Sequence, residues 1–140
     1  MLSKTSVQAV QALVVLSGLP KGVFAGAGAV AMKIQAPQNY LGKLLRQLSV
    51  VGYVDSQKGL GGGFRLAKNP AKITLYDVVA AVEHVERWSN CILGQTSCTD
   101  RRACRLHKEW KEVRDHFLQF LRDTKIADVA ARTGALSRGG

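Results

Sequence analysis

The stretch PQNYLGKLLRQLSVVGYVDSQKGLGGGFRLAK, residues 37–68, decides the architecture. Pro37 suits the first position of a helix, where its missing N–H and fixed φ cost nothing. Leu41, Leu44, Leu45 and Leu48 then recur at i, i+3, i+4 and i+7 and make one apolar stripe. At about 100° per residue, Asn39, Lys43 and Arg46 fall together on the opposite face. Such a polar trio is commonly a solvated face, but the next element gives it another meaning. Residues 53–57 read as a strand and 64–67 as a second, joined by Lys58-Gly59-Leu60-Gly61-Gly62-Gly63. A plain hairpin turn also uses glycine. Flanked by Lys58 and Arg65, however, a loop without side chains can bring backbone N–H groups close to a phosphate.

Upstream, Val7, Val10, Leu13 and Val14 sit at helical spacing within residues 3–17, and Gly18-Leu19-Pro20 stops the run. Residues 23–36 are rich in Gly and Ala, with room for a short second helix over 27–33. Three helices followed by a basic, glycine-tipped hairpin is the order of a winged helix-turn-helix. The fold class is therefore mainly α with a small β-hairpin wing, plus a long dimerisation helix. Beyond Pro70, Thr74 is an N-cap with Asp77 where a capping box places Glu, and Leu75, Val78, Val79 and Val82 form a helical stripe. That helix should pack back on the first and complete a DNA-binding domain over residues 1–86.

Residues 87–103 lose all periodicity. From about residue 103 to 122 a long helix follows, in which Leu106, Trp110, Val113, Phe117 and Phe120 step by 4, 3, 4 and 3. A heptad seam of this kind packs against a partner helix, within the chain or in a second copy. Its large aromatics exceed what one small wing domain can cover, which favours a two-fold dimer. Residues 124–131 add a short last helix, so that 103–131 form the dimerisation segment, and 132–140 read as a flexible tail.

Composition agrees with this plan. At 140 residues and 46% hydrophobic content the chain supports one modest core. The net charge of +10 is unevenly spread: residues 1–70 carry eight Lys and Arg against the single acid Asp55. The amino-terminal half is thus the half drawn to a polyanion. No apolar run approaches the roughly 20 residues of a membrane span, which suggests a cytoplasmic protein without membrane contact. No constellation of nucleophile, base and pocket suggests an enzyme.

All three cysteines fall in the aperiodic stretch, as Cys91-x6-Cys98-x5-Cys104-x2-His107. Three thiolates in an irregular loop, with an imidazole one helical turn after the last, can converge on one centre over residues 87–107. Soft thiolates select zinc or an iron–sulfur cluster, and spacing does not choose between them. A metal-free thiol switch uses the same residues. Arg101, Arg102 and Arg105 favour thiolate over thiol and offset the charge of a thiolate-bound centre. His84 and His116 have no cysteine in comparable reach and read as ordinary side chains.

Taken together, several motifs resemble those of the Rrf2 winged-helix regulators, in the IscR-like and NsrR-like branches. They are Tyr40-Leu41 with Leu44-Leu45, Gly61-Gly62-Gly63-Phe64-Arg65-Leu66, Ile73-Thr74-Leu75 with Asp77-Val78-Val79, and Cys104-Arg105-Leu106-His107. The similarity spans residues 1–131. It implies a homodimer whose long helices cross, with each wing domain on one half-site of a palindromic operator in double-stranded DNA. It also implies one iron–sulfur cluster per protomer on Cys91, Cys98 and Cys104, with His107 as fourth ligand in the 2Fe–2S branch. In the 4Fe–4S branch the fourth ligand can be an acid on the partner's first helix. Here that region offers Gln8 and no acid precedes Asp55, which favours His107 and 2Fe–2S over 4Fe–4S.

The chain departs from the pattern in three places. Its first cysteine gap is six residues where five is usual, Gly42 stands where a glutamate often follows Tyr-Leu, and the second helix is unusually rich in Gly and Ala. A regulator of this kind would place Asn39, Tyr40, Lys43 and Arg46 in the major groove, with Lys33 and Gln38 beside them and Lys58 and Arg65 anchoring the wing. The expected role is a repressor sensing redox state, nitric oxide or iron–sulfur status.

Overall fold

Ser3 opens the first helix, α1 (Lys4–Ser17), by accepting the Ser6 N–H on its hydroxyl. The computed structural model describes residues 2–83 and 106–139, with side chains through residue 132. The second helix, α2 (Ala27–Ile34), starts at an uncapped Gly26 and ends at Gln35, which takes the left-handed conformation (φ 56°) and turns the chain toward α3 (Gln38–Val50). Pro37 is the N-cap of α3 rather than its first residue. Its extended backbone (φ −63°, ψ 133°) leaves its carbonyl to accept the Leu41 N–H. The leucine stripe of α3 is fully inward: Leu41, Leu44, Leu45 and Leu48 are buried.

Strands β1 (Val54–Gln57) and β2 (Gly63–Leu66) pair antiparallel, Val54 opposite Leu66 and Asp55 opposite Arg65. Val54 and Phe64 point to the core, as strand alternation requires. Ala25 adds a third lane to the hairpin. Its N–H donates to the Phe64 carbonyl (2.8 Å), and Phe64 N–H donates to the Ala25 carbonyl (2.7 Å). The loop before α2 is thereby fastened to the wing.

Thr74 caps α4 (Leu75–Val82) with a complete capping box: its hydroxyl accepts the Asp77 N–H and the Asp77 carboxylate accepts the Thr74 N–H, both at 3.0 Å. Helix α5 (His107–Asp123) then leads into α6 (Ile126–Gly139), which continues well past residue 131, where the sequence pattern had placed its end. The joint between them is stitched to the start of α4. Leu75 N–H donates to the Thr124 carbonyl (2.9 Å) and Ile126 N–H to the Ile73 carbonyl (2.8 Å).

Leu121 and Ile126 are fully buried in the same core as Leu13, Leu45 and Val79. The joint between α5 and α6 therefore shares the wing domain's core. The start of the long helix near residue 103, the loop over 87–105 and its three cysteines lie outside the described residues. Among the described residues, no helix is long and apolar enough to cross a membrane.

Candidate nucleic-acid interface

Helix α3 has one face sealed in the core and one face open. Asn39, Lys43 and Arg46 are exposed on the open side, as the 3.6-residue period demands once the four leucines are buried. Lys58 is exposed on the wing loop, beside Leu60, whose side chain is fully exposed at the tip. These four polar side chains can meet an anionic, hydrogen-bonding surface without losing a partner inside the protein that the structure shows.

The other residues expected at this surface also have neighbours within the chain. Tyr40 is 37% exposed, and its phenol oxygen is within hydrogen-bond distance of the Thr5 hydroxyl on α1. It braces α3 against α1. The Gln38 side chain lies over Gly28 of α2, where a Cβ would come within 3.1 Å of its amide. Lys33 lines a groove of about 620 Å³ with Gln11, Val14 and Val129, at the junction of α1, α2 and α6. Arg65 pairs with Asp55 across the hairpin (3.6 Å) and stacks its guanidinium on Phe24 (4.5 Å). Of the two cations read as wing anchors, only Lys58 is at the tip.

The glycines divide in the same way. Gly62 N–H donates to the Gly59 carbonyl, and a Cβ on Gly62 or Gly63 would strike backbone atoms of Gln57 or Ala25. Those two glycines exist for close packing. Gly59 and Gly61 take positive φ at the loop's outer turn with open space around them, so only this outer part can approach a ligand. Lys68 lies over the Tyr53 ring (5.1 Å), and burial, with help from the Asp77 carboxylate, pushes the Tyr53 phenol up, keeping that ring neutral.

Gln47 is exposed on α3 and was missed by the sequence reading; it donates from Nε2 to the Ala81 carbonyl (2.9 Å). Its signal was its spacing, four residues beyond Lys43 on the open face.

On α5 the structure separates two stripes. Leu106, Val113 and Phe120 are 44–53% exposed, and Val113, Phe117 and Phe120 line a shallow hollow of about 500 Å³ with His116. Leu121 is buried, Leu118 and Phe117 pack on the core's edge, and Trp110 is half-buried. Phe117 is thus shared between the seam and the chain's own core. His107, the first residue of α5, is buried at 9% exposure. Among the described residues no group of three potential ligands surrounds a common point. The donor set that His107 would complete lies in the cysteine stretch outside them.

Comparison with known proteins agrees with this arrangement. The family profile described as "Iron-dependent Transcriptional regulator", Rrf2, matches residues 2–132. The chain belongs to the Rrf2 family of transcriptional regulators. It is 34% identical over 130 residues to the Bacillus subtilis protein YwgB, named as an HTH-type transcriptional regulator, covering 92% of this chain and 83% of that one. It is 32% identical over 102 residues to another protein so named from Aquifex aeolicus, covering 71% of each.

Among solved structures it is similar to CymR, the global cysteine regulator of B. subtilis, with a TM-score of 0.78 at 20% identity, covering 94% of this chain and 97% of that one. T. potens IscR gives a TM-score of 0.74, also at 20% identity, over 95% and 88% of the two chains. Both share the fold: winged helix, long helix and terminal helix. The Rrf2 assignment makes the chain a DNA-binding transcriptional regulator.

Proposed function

We propose that this Rrf2 regulator acts in the cytoplasm as a homodimeric repressor that reads a palindromic operator. Asn39, Lys43 and Arg46 enter the major groove and Lys58 anchors the wing. The observation that carries this reading is the division of α3 into four buried leucines and an open polar face. Asn is suited to adenine and Arg or Lys to guanine in that groove. Tyr40 and Arg65 also position these elements, through the Thr5 hydroxyl and the Asp55 carboxylate.

Lys43→Ala tests the placement. Operator affinity is expected to fall by about 1–3 kcal/mol if Lys43 reads a base, or roughly uniformly across sequences, with the salt slope smaller by about 1, if it holds a phosphate. Unchanged affinity and slope, measured by fluorescence anisotropy across a salt series, exclude α3 as the reading helix.

The regulatory centre in this proposal is an iron–sulfur cluster on Cys91, Cys98, Cys104 and His107, of the 2Fe–2S type. Three soft thiolates and one imidazole within seventeen residues suit such a group, and the family's iron-dependent description supports iron over zinc. Gln8 is an amide and is buried within α1, so it makes a poor ligand for a partner's cluster. When bound, the cluster supplies a redox-active, oxidant-sensitive centre. Its loss alters DNA affinity only insofar as the cluster interacts differently with a DNA-binding and a non-binding arrangement of the dimer.

The likeness to CymR, the global cysteine regulator of B. subtilis, motivates a second reading in which the same thiols act without metal. Anaerobic purification with iron, sulfide and zinc assays and an absorption spectrum decides between them. Stoichiometric iron and sulfide with a visible chromophore are expected, and His107→Ala should alter the spectrum. A colourless protein with stoichiometric zinc, or with no metal, removes the cluster.

A further inference from the structure

We propose that residues 81–83, at the carboxy-terminal end of α4, form a positioning node that sets the rotation of the recognition helix α3, with Glu83 as its central residue. This rests on the reading of α3 as the DNA-contacting helix and not on the cysteines.

The first turn of α1 contains no acidic residue. Glu83 supplies one from 80 residues away: its Oε2 accepts the Ser3 N–H (3.2 Å), the Ser3 hydroxyl (2.7 Å) and the Ser6 hydroxyl. A carboxylate at a helix N-terminus meets the positive end of the helix dipole and satisfies donors the helix leaves open. Ser6 is fully buried, so its hydroxyl depends on this contact. The end of α4 is thereby locked to the start of α1.

Both partners of that lock hold α3. Thr5, between Ser3 and Ser6 in the same turn of α1, bonds the Tyr40 phenol in the first turn of α3. Gln47, seven residues on, donates to the Ala81 carbonyl, which lies in the last turn of α4. Two turns of helix return a side chain to the same azimuth, about 10 Å along the axis. Tyr40 and Gln47 therefore hold one flank of α3 at two points, and two points on one flank fix its rotation as well as its tilt. Rotation is the coordinate that decides whether Asn39, Lys43 and Arg46 face the groove, since all three radiate from the same axis. The leucine stripe alone fixes it less sharply, because apolar contacts are non-directional.

The test uses a duplex that the wild-type chain selects from a randomised pool, with affinity measured over a salt series and thermal unfolding in parallel. Glu83→Gln and Tyr40→Phe are each expected to weaken binding three- to tenfold without changing the slope of log affinity against log salt, because neither removes a phosphate contact. The double variant should bind no more than twofold worse than the weaker single variant, since both cut one linkage. Asp77→Asn, which breaks the α4 capping box away from the node, should lower the melting temperature and keep wild-type affinity. Multiplying effects of Glu83→Gln and Tyr40→Phe, wild-type affinity in Glu83→Gln, or an equal loss in Asp77→Asn each overturns the node. A wild-type chain that selects no duplex overturns the DNA-binding reading of α3 instead.

Discussion

Phe120→Glu is expected to leave a folded protein that no longer dimerises at micromolar concentration. Phe120 is 52% exposed on α5, in line with Leu106 and Val113, which are 44% and 53% exposed. The helix does not need this stripe to hold its place, because Leu121 is fully buried on the adjoining face and the α5–α6 joint is bonded to Ile73 and Leu75. In a two-fold dimer each substitution acts twice. Losing the burial of a phenylalanine costs roughly 1.5–3 kcal/mol, and placing a carboxylate in the seam adds its desolvation. Two sites together give about 4 kcal/mol or more, a shift in the dimer constant on the order of a thousandfold.

A monomer holds only one half-site, so operator affinity should fall by a further factor of about a hundred or more through lost avidity. Sedimentation velocity reads the mass, and the far-ultraviolet spectrum should stay that of the wild type. Leu121→Ala is the contrast: a cavity in the core costs about 2–5 kcal/mol of folding stability. A Phe120→Glu protein that remains dimeric would show that this stripe is not the interface.

How much of this was legible in the sequence depended on the range of the interaction. The leucine stripe of α3 and its polar opposite face are set by local periodicity alone, and the α4 capping box by two residues three positions apart; both were readable. The second stripe of α5 was not. Leu118 and Leu121 stand beside the heptad positions, and the rest of that face is His107 and Arg114, two polar residues the structure nevertheless tucks inward, Arg114 with its side chain only 13% exposed. A pattern of apolar residues cannot show a face that is half polar.

The partner of Arg65 was hidden for a different reason. The charge of Arg65 suggested a phosphate contact, but its opposition to Asp55 follows from hairpin register, which loop length sets. The lock of Ser3 and Ser6 on Glu83 joins residues nearly 80 positions apart and leaves no local trace. Tyr40 carried a family expectation of base contact, and only its distance to Thr5 shows that its hydroxyl is engaged at home.

Glycine supplies the sharpest test of where the wing's rigidity comes from. Gly63→Ala is expected to destabilise the fold by roughly 3 kcal/mol, combining a strained backbone with lost hydrogen bonds. Its φ is +133°, a region that side chains rarely adopt, and a Cβ there would strike the Ala25 carbonyl and come within 2.8 Å of the Gly26 nitrogen. Relief requires β2 to part from Ala25, which breaks the two bonds at 2.7 and 2.8 Å that fasten the loop before α2 to the hairpin.

For a domain of this size such a loss lowers the melting temperature by on the order of 10 °C. Gly61 separates strain from packing. Its φ is +75° but nothing lies within 4 Å of a Cβ there, so Gly61→Ala should cost only the conformational penalty of about 1 kcal/mol. Equal losses at the two positions in calorimetry would mean that backbone strain alone governs the wing. A much larger loss at Gly63 means that the wing is held from outside the hairpin, by the segment that starts α2, so that the hairpin and α2 move as one body.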